Sequence, residues 1–269
     1  MAASLEQIVA AARRRMAERR AVSAKGLWEK QAAAHRPRGF RRSLLDASRT
    51  APAIIAELKK ASPSKGLIRY DFPVAALARE LEKAGAAALS VLTDQQFFQG
   101  SLENLQVASA NTELPCLRKD FIVDPSQIPE ARAHGADAIL LIVAALAQDE
   151  LLRLAGQARD YQIDVLCEAH NQAELERALD AGCDLVGVNA RDLRTFQVDL
   201  RTAFQLAEKL PPGVVAVAES GIRSGSDIAQ LRAAGYQGFL IGESLMMAAS
   251  PGQALHEFLA QAAVASAQP

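Results

Sequence analysis

The chain has 269 residues, half of them hydrophobic and 23% charged, with a formal net charge of −1. That balance can bury a large core, and no long single-sign tail points to nucleic acid. Cys116, Cys167 and Cys183 lack CxxC spacing, the four histidines lack metal-ligand spacing, and the longest apolar run (138–146) is too short for a membrane span. These features exclude a zinc site, a disulfide framework and a membrane anchor, and set the expectation of a cytoplasmic protein without metal.

Residues 1–50 read as a helical extension. Ser4 is a candidate N-cap for a helix carrying Leu5, Ile8, Val9, Ala12 and Met16 at spacings of three and four, continuing toward Arg20. A looser region through Trp28 and Pro37 leads to a second helical stretch from Phe40. The arginines at 13, 14, 15, 19, 20, 36, 38, 41 and 42 are interspersed at helical spacing, which fits solvated helix faces better than nucleic-acid contacts.

From Ala53 the pattern becomes regular. β-rich runs occur at 53–58, 87–92, 115–119, 137–143, 163–168, 184–189, 214–219 and 238–242, separated by amphipathic stretches such as 73–84 and 172–181. Gly85, Gly135, Gly182 and Gly235 each stand between a helical stretch and the next strand, where the left-handed position after a helix favours glycine. Eight such units over residues 51–269 predict a (β/α)8 TIM barrel. A doubly wound open sheet is the other arrangement to weigh. It would need a glycine-rich phosphate loop after the first strand, where Glu57-Leu58-Lys59 stands instead.

The polar residues fall at the strand ends. Glu57 and Lys59 lie two apart after an apolar run, so both project from one face. Alone, the pair could be a solvated strand end. However, Lys119, Glu168, Asn189 with Arg191, Glu219 with Ser220, and Gly242-Glu243-Ser244 occupy matching positions on later strands, and barrel active sites lie at these ends. Carboxylates and lysines without a metal cluster suit general acid–base chemistry. Lys119 could donate a proton or act as a Schiff-base nucleophile. Backbone N–H groups at Gly221 and at Gly242-Glu243 suit a phosphate, with the Glu243 side chain turned elsewhere. His170 follows Glu168 and could be a second base, though a loop histidine more often lies on the surface; Asp120 reads as structural and Cys167 as facing the helices. Phe98 and Phe121 are candidates for an apolar wall.

Several of these segments resemble the indole-3-glycerol-phosphate synthase family. They are Ile55-Ala56-Glu57-Leu58-Lys59 with Ala61-Ser62-Pro63-Ser64, Phe98-Gln99-Gly100-Ser101, Leu117-Arg118-Lys119-Asp120-Phe121, Val188-Asn189-Ala190-Arg191-Asp192-Leu193, Ala218-Glu219-Ser220-Gly221 and Leu240-Ile241-Gly242-Glu243-Ser244. The resemblance implies a barrel that closes an indole ring on 1-(2-carboxyphenylamino)-1-deoxyribulose 5-phosphate, releasing carbon dioxide and water without a cofactor. By the same resemblance Lys119 is the general acid and Glu168 the general base. Lys59, held by Glu57, binds anionic groups, and Asn189 positions hydroxyls. Glu219 and Ser220 complete the polar mouth, with Ser62 and Arg191 at its edge. Phe98, Phe121 and Leu140 surround the aromatic ring, Gly221, Gly242 and Glu243 hold the phosphate, and residues 1–50 cover the mouth. The alternatives are another phosphate-binding barrel, such as an isomerase of phosphoribosyl intermediates, or a non-catalytic ligand-binding barrel. The expected partner is a small phosphorylated substrate, and the expected state is a monomer or a weak homodimer.

Overall fold

The computed structural model describes residues 3–22, 27–192 and 197–266. Eight parallel strands close into a barrel: β1 (Ala53–Leu58), β2 (Ala88–Leu92), β3 (Cys116–Lys119), β4 (Ala138–Ile142), β5 (Asp164–Ala169), β6 (Leu185–Asn189), β7 (Val215–Glu219) and β8 (Gly238–Ile241). Each pairs with its sequence neighbours, and β8 pairs with β1. Every strand falls in an expected run, β5 extending one residue past its own to Ala169. A two-stranded hairpin (Ala61–Ser62 with Gly66–Leu67) was not expected, because two-residue strands carry no readable period.

Side chains alternate between two cores, as strand geometry requires. Ile54, Ala56 and Leu58 face the helices, whereas Ala53 and Ile55 pack inside the barrel with Leu117, Leu140, Leu166 and Val217. Cys167 faces the helix layer, as its phase predicts. It is joined to Cys183 in a disulfide with a Cα–Cα distance of 6.5 Å. This corrects the expectation from cysteine spacing: one strand–helix unit separates the two in sequence, but its return brings them together.

The first fifty residues are shared between both ends of the barrel. Helix α1 (Leu5–Val22) crosses the C-terminal mouth, α2 (Leu27–Ala32) packs on the flanking helix Gln127–Ala133, and α3 (Phe40–Ser48) closes the opposite end. Trp28 lies in α2, with its ring 5.0 Å from that of His134, so the expected looser region contains a helix too short to show periodicity. Ser4 and Gln7 exchange hydrogen bonds at the start of α1, consistent with an N-cap at Ser4.

The arginines of the extension do more than solvate helix faces. Arg13 pairs with Glu150 at 2.8 Å, Arg15 with Asp94 at 2.7 Å, and Arg19 with Glu130. On the other side Arg38 pairs with the fully buried Asp137 at 2.7 Å, and Arg41 with Asp184 at 3.0 Å. Most of the cationic pattern therefore clamps the extension to the barrel. The Arg20 side chain, the fifth of the first basic cluster, lies outside the described residues.

Candidate active site

Strand alternation carries the inward series through apolar residues to polar ends. Ala53 and Ile55 are followed on the same face by Glu57, Leu117 by Lys119, Leu166 by Glu168, and Val215 and Val217 by Glu219. Register fixes their neighbours: Asn189 lies beside Glu219, and Glu57 beside Ser90. The result is one cavity of about 270 Å³ at the C-terminal mouth.

Every candidate from the sequence lines this cavity: Glu57, Lys59, Ser62, Phe98, Lys119, Phe121, Leu140, Glu168, Asn189, Arg191, Glu219, Ser220, Gly221, Gly242 and Glu243. Leu193, the last residue of the β6 motif, lies outside the described residues. Other lining residues were not singled out beforehand. Arg223 lies two residues past Gly221 and could have been found by extending that motif; Leu5 and Ile8 belong to α1, and only tertiary docking places them there.

Lys119 occupies the floor. Its Nζ donates to Glu168 Oε2 at 2.9 Å and to Glu219 Oε2 at 2.7 Å. Burial alone would lower the lysine pKa, but the carboxylates of Glu168, Glu219 and Glu57 outweigh it and raise it. Lys119 is therefore held as an ammonium, which suits a proton donor and disfavours a Schiff-base nucleophile, since that chemistry needs the neutral amine. Burial pushes Glu219 up to about 7, an effect that Lys119 partly offsets and Glu168 reinforces. Glu168 goes the other way. Burial opposes its ionisation, yet Lys119 and His170 hold it well below the ordinary carboxylate range.

Lys59 Nζ lies 2.6 Å from Glu57 Oε1, so these two first-strand charges form a second ion pair beside the first group. Two glycines make room for the acids. A side chain at Gly187 on β6 would collide with Glu219 Oε1, and one at Gly242 with Glu57 Oε1.

The phosphate-binding candidates sit where the chain turns off β7 and β8. Ser220 and Gly221 both adopt positive φ, 63° and 82°. Such a conformation is natural for glycine but costs serine on the order of 1 kcal/mol. Gly242 caps the short helix Glu243–Met247, and Glu243 Oε1 lies 3.5 Å from Lys65 Nζ, drawn toward that cation. On the facing side Phe98 and Phe121 lie with ring centroids 6.3 Å apart. One end of the cavity is thus aromatic, the floor is charged and the far rim offers backbone N–H groups.

Two residues given bland readings divide. Asp120 is structural: it accepts from Thr93 at 2.6 Å and from Arg118 at 3.0 Å. His170 is no surface residue, since its side chain is 10% exposed and lies between Glu168 and Glu174.

Comparison with known proteins converges on one family. The family model of indole-3-glycerol phosphate synthase matches residues 5–258. A protein of that name from Koribacter versatilis (strain Ellin345) is 57% identical over 259 residues, covering 96% of this chain and 100% of the relative. Another from Dechloromonas aromatica (strain RCB) is 46% identical, covering 95% of this chain and 98% of the relative. Among solved structures, a 3-hexulose-6-phosphate synthase superposes with a TM-score of 0.63 at 15% identity, covering 78% of this chain and 99% of that one. A thiamine phosphate pyrophosphorylase from Pyrococcus furiosus gives 0.60 at 16% identity, covering 81% and 98%. At such low identity these two show the barrel fold alone.

Proposed function

The chain belongs to the indole-3-glycerol phosphate synthase family, whose decarboxylating lyase reaction in tryptophan biosynthesis is its activity, and from that premise we propose how its residues divide the chemistry. The substrate is 1-(2-carboxyphenylamino)-1-deoxyribulose 5-phosphate. Its aromatic ring lies against Phe98, Phe121 and Leu140. Its phosphate is received by the backbone at Gly221, Gly242 and Glu243, with Arg223 adding charge at the same rim. Lys59, set by Glu57, binds anionic groups of the substrate, while Asn189, Ser220, Ser62 and Arg191 orient its polar middle.

Lys119 acts as general acid. It protonates the ribulose carbonyl oxygen while the ring carbon attacks, so that no free alkoxide accumulates. Carbon dioxide then leaves from the ring carbon that bore the carboxylate. That cleavage returns the bonding pair to the ring and restores its aromaticity. Glu168, kept ionised, then takes a proton from the carbon beside the nitrogen while a lysine ammonium of the site protonates the departing hydroxyl, so that water leaves and the pyrrole double bond forms. Glu219 supports the Lys119 ammonium from its other side. Helix α1, with Leu5 and Ile8 on the cavity, limits water access during these steps. The chain works as a monomer in the cytoplasm on this reading, and no described helix is long and apolar enough to cross a membrane.

The observation that carries the reading is Lys119 held between two carboxylates on the floor of a cavity whose opposite walls suit an aryl ring and a phosphate. Mixing the purified protein with this substrate, without added metal or cofactor, should produce indole fluorescence. A folded protein that produced none would overturn the reading in favour of a non-catalytic or differently specific barrel.

A further inference from the structure

His170 lies just beyond β5, outside the substrate cavity, and contacts the reverse side of Glu168. Glu174, on the helix Gln172–Asp180, fixes it. Glu174 Oε2 lies 2.9 Å from His170 Nδ1 and accepts from the His170 backbone N–H at 2.8 Å. The remaining Glu174 oxygen accepts from Asn171 Nδ2 at 2.7 Å, so the clamp is itself anchored at the helix start. Nε2 lies 3.2 Å from Glu168 Oε1, within ion-pair range though off the line of a good hydrogen bond. The other oxygen of Glu168 is the one that contacts Lys119.

We propose that His170 is a positioning residue: clamped by Glu174, it holds Glu168 Oε1 from behind, keeping Oε2 aimed at Lys119 and the reacting substrate. Both ring nitrogens face ionised carboxylates, which only accept, so the arrangement is satisfied when the ring carries both protons. Burial opposes that charge, but Glu168 and Glu174 outweigh it and raise the imidazole to about 10. The other charged groups around the cleft beside His170 are Glu6 on α1 and Arg191, Asp192 and Asp199 after β6. Glu168 and Glu174 are the two that touch the ring. The second cation on Glu168 also explains how a buried carboxylate next to another, Glu219, stays ionised when Lys119 must serve both.

This inference rests on the reading of Glu168 as the base, and single-turnover rates across pH separate the two. In His170→Leu the acidic limb of the profile should rise by about one to two pH units, because an opposite charge within contact range has been removed. The rate at low pH should fall about tenfold for each such unit. Half-saturating substrate should change little, since His170 does not line the substrate cavity. His170→Gln, which keeps a neutral donor, should fall between His170→Leu and the wild type. Glu174→Gln tests the clamp without touching Glu168, and should move the limb in the same direction by less, even if His170→Leu fails to fold. If the limb stayed in place in both His170→Gln and Glu174→Gln while Glu168→Gln was inactive, the positioning role would be overturned and the base would stand. A Glu168→Gln enzyme turning over at the wild-type rate would overturn the base, and the positioning role with it.

Discussion

At the N-terminal end of the barrel, α3 sends the fully buried Phe40 and Leu44 into the interior core. Below them Asp137 accepts from Arg38, His35 and the Cys116 backbone, all within 3.0 Å. At the mouth, α1 buries the smaller Ala12 and Met16 in the outer core and is pinned by Arg13, Arg15 and Arg19, whose side chains are 37–43% exposed; among the described residues it presents Leu5 and Ile8 to the cavity. Apolar burial is insensitive to salt and is lost only with the fold, whereas exposed ion pairs are weak and screened. One continuous extension therefore plugs the lower end with large apolar side chains and is fixed at the upper end in good part by charge. A barrel that must admit substrate at one end only is well served by that division.

The largest separation of the two ends should come from Lys119→Ala. It should lower turnover about 10²–10⁴-fold, while the protein still unfolds cooperatively in urea. A variant with near wild-type turnover would remove the acid from the mouth. At the other end Phe40→Ala should cost about 3–5 kcal/mol of stability by opening a cavity in the core, with turnover per folded molecule retained. If Phe40→Ala instead left the urea midpoint unchanged, the packing of α3 would not be what stabilises the lower end. A smaller effect is expected at the α1 clamp, where Arg13→Ala, which breaks the solvent-accessible pair with Glu150, should cost about 1 kcal/mol or less. Its signature should be a few-fold change in steady-state kinetics that moderate salt reproduces in the wild type. The finest test concerns pH. His170 is raised from its model-peptide value of 6.5 to about 10 in the fold, so its contribution to stability is fully present below about pH 6.5 and is lost as pH rises through about 10. The stability gap between wild type and His170→Gln should therefore be widest in acid and close in alkali, a trend readable from urea midpoints.

The barrel was legible because its signal is local and repeated: apolar runs, helix-ending glycines and a change to polar residues at each strand end. Glu57, Lys119, Glu168, Asn189 and Glu219 could be read from the same phase that makes Ile55 or Leu166 core residues. The extension was less legible. Nothing local tells Arg38, which meets a buried Asp137, from an arginine on a solvated helix face; the partner lies about a hundred residues away. His170 was misread for a related reason. Its neighbour Glu168 was visible in sequence, but its burial depends on Glu174 folding back from the next helix. The Cys167–Cys183 link likewise depends on a spatial return that spacing alone does not reveal.

Gly187 and Gly242 bear on any attempt to move this chemistry into another barrel. Each acid leans sideways into space that the neighbouring strand or turn has vacated, Glu219 over Gly187 and Glu57 over Gly242. Grafting Glu57, Lys59, Lys119, Glu168 and Glu219 into a scaffold with ordinary side chains at the two glycine positions would force those carboxylates upright and away from their lysines. The transferable unit is therefore seven residues, and two of them make room for the acids by having no side chain there.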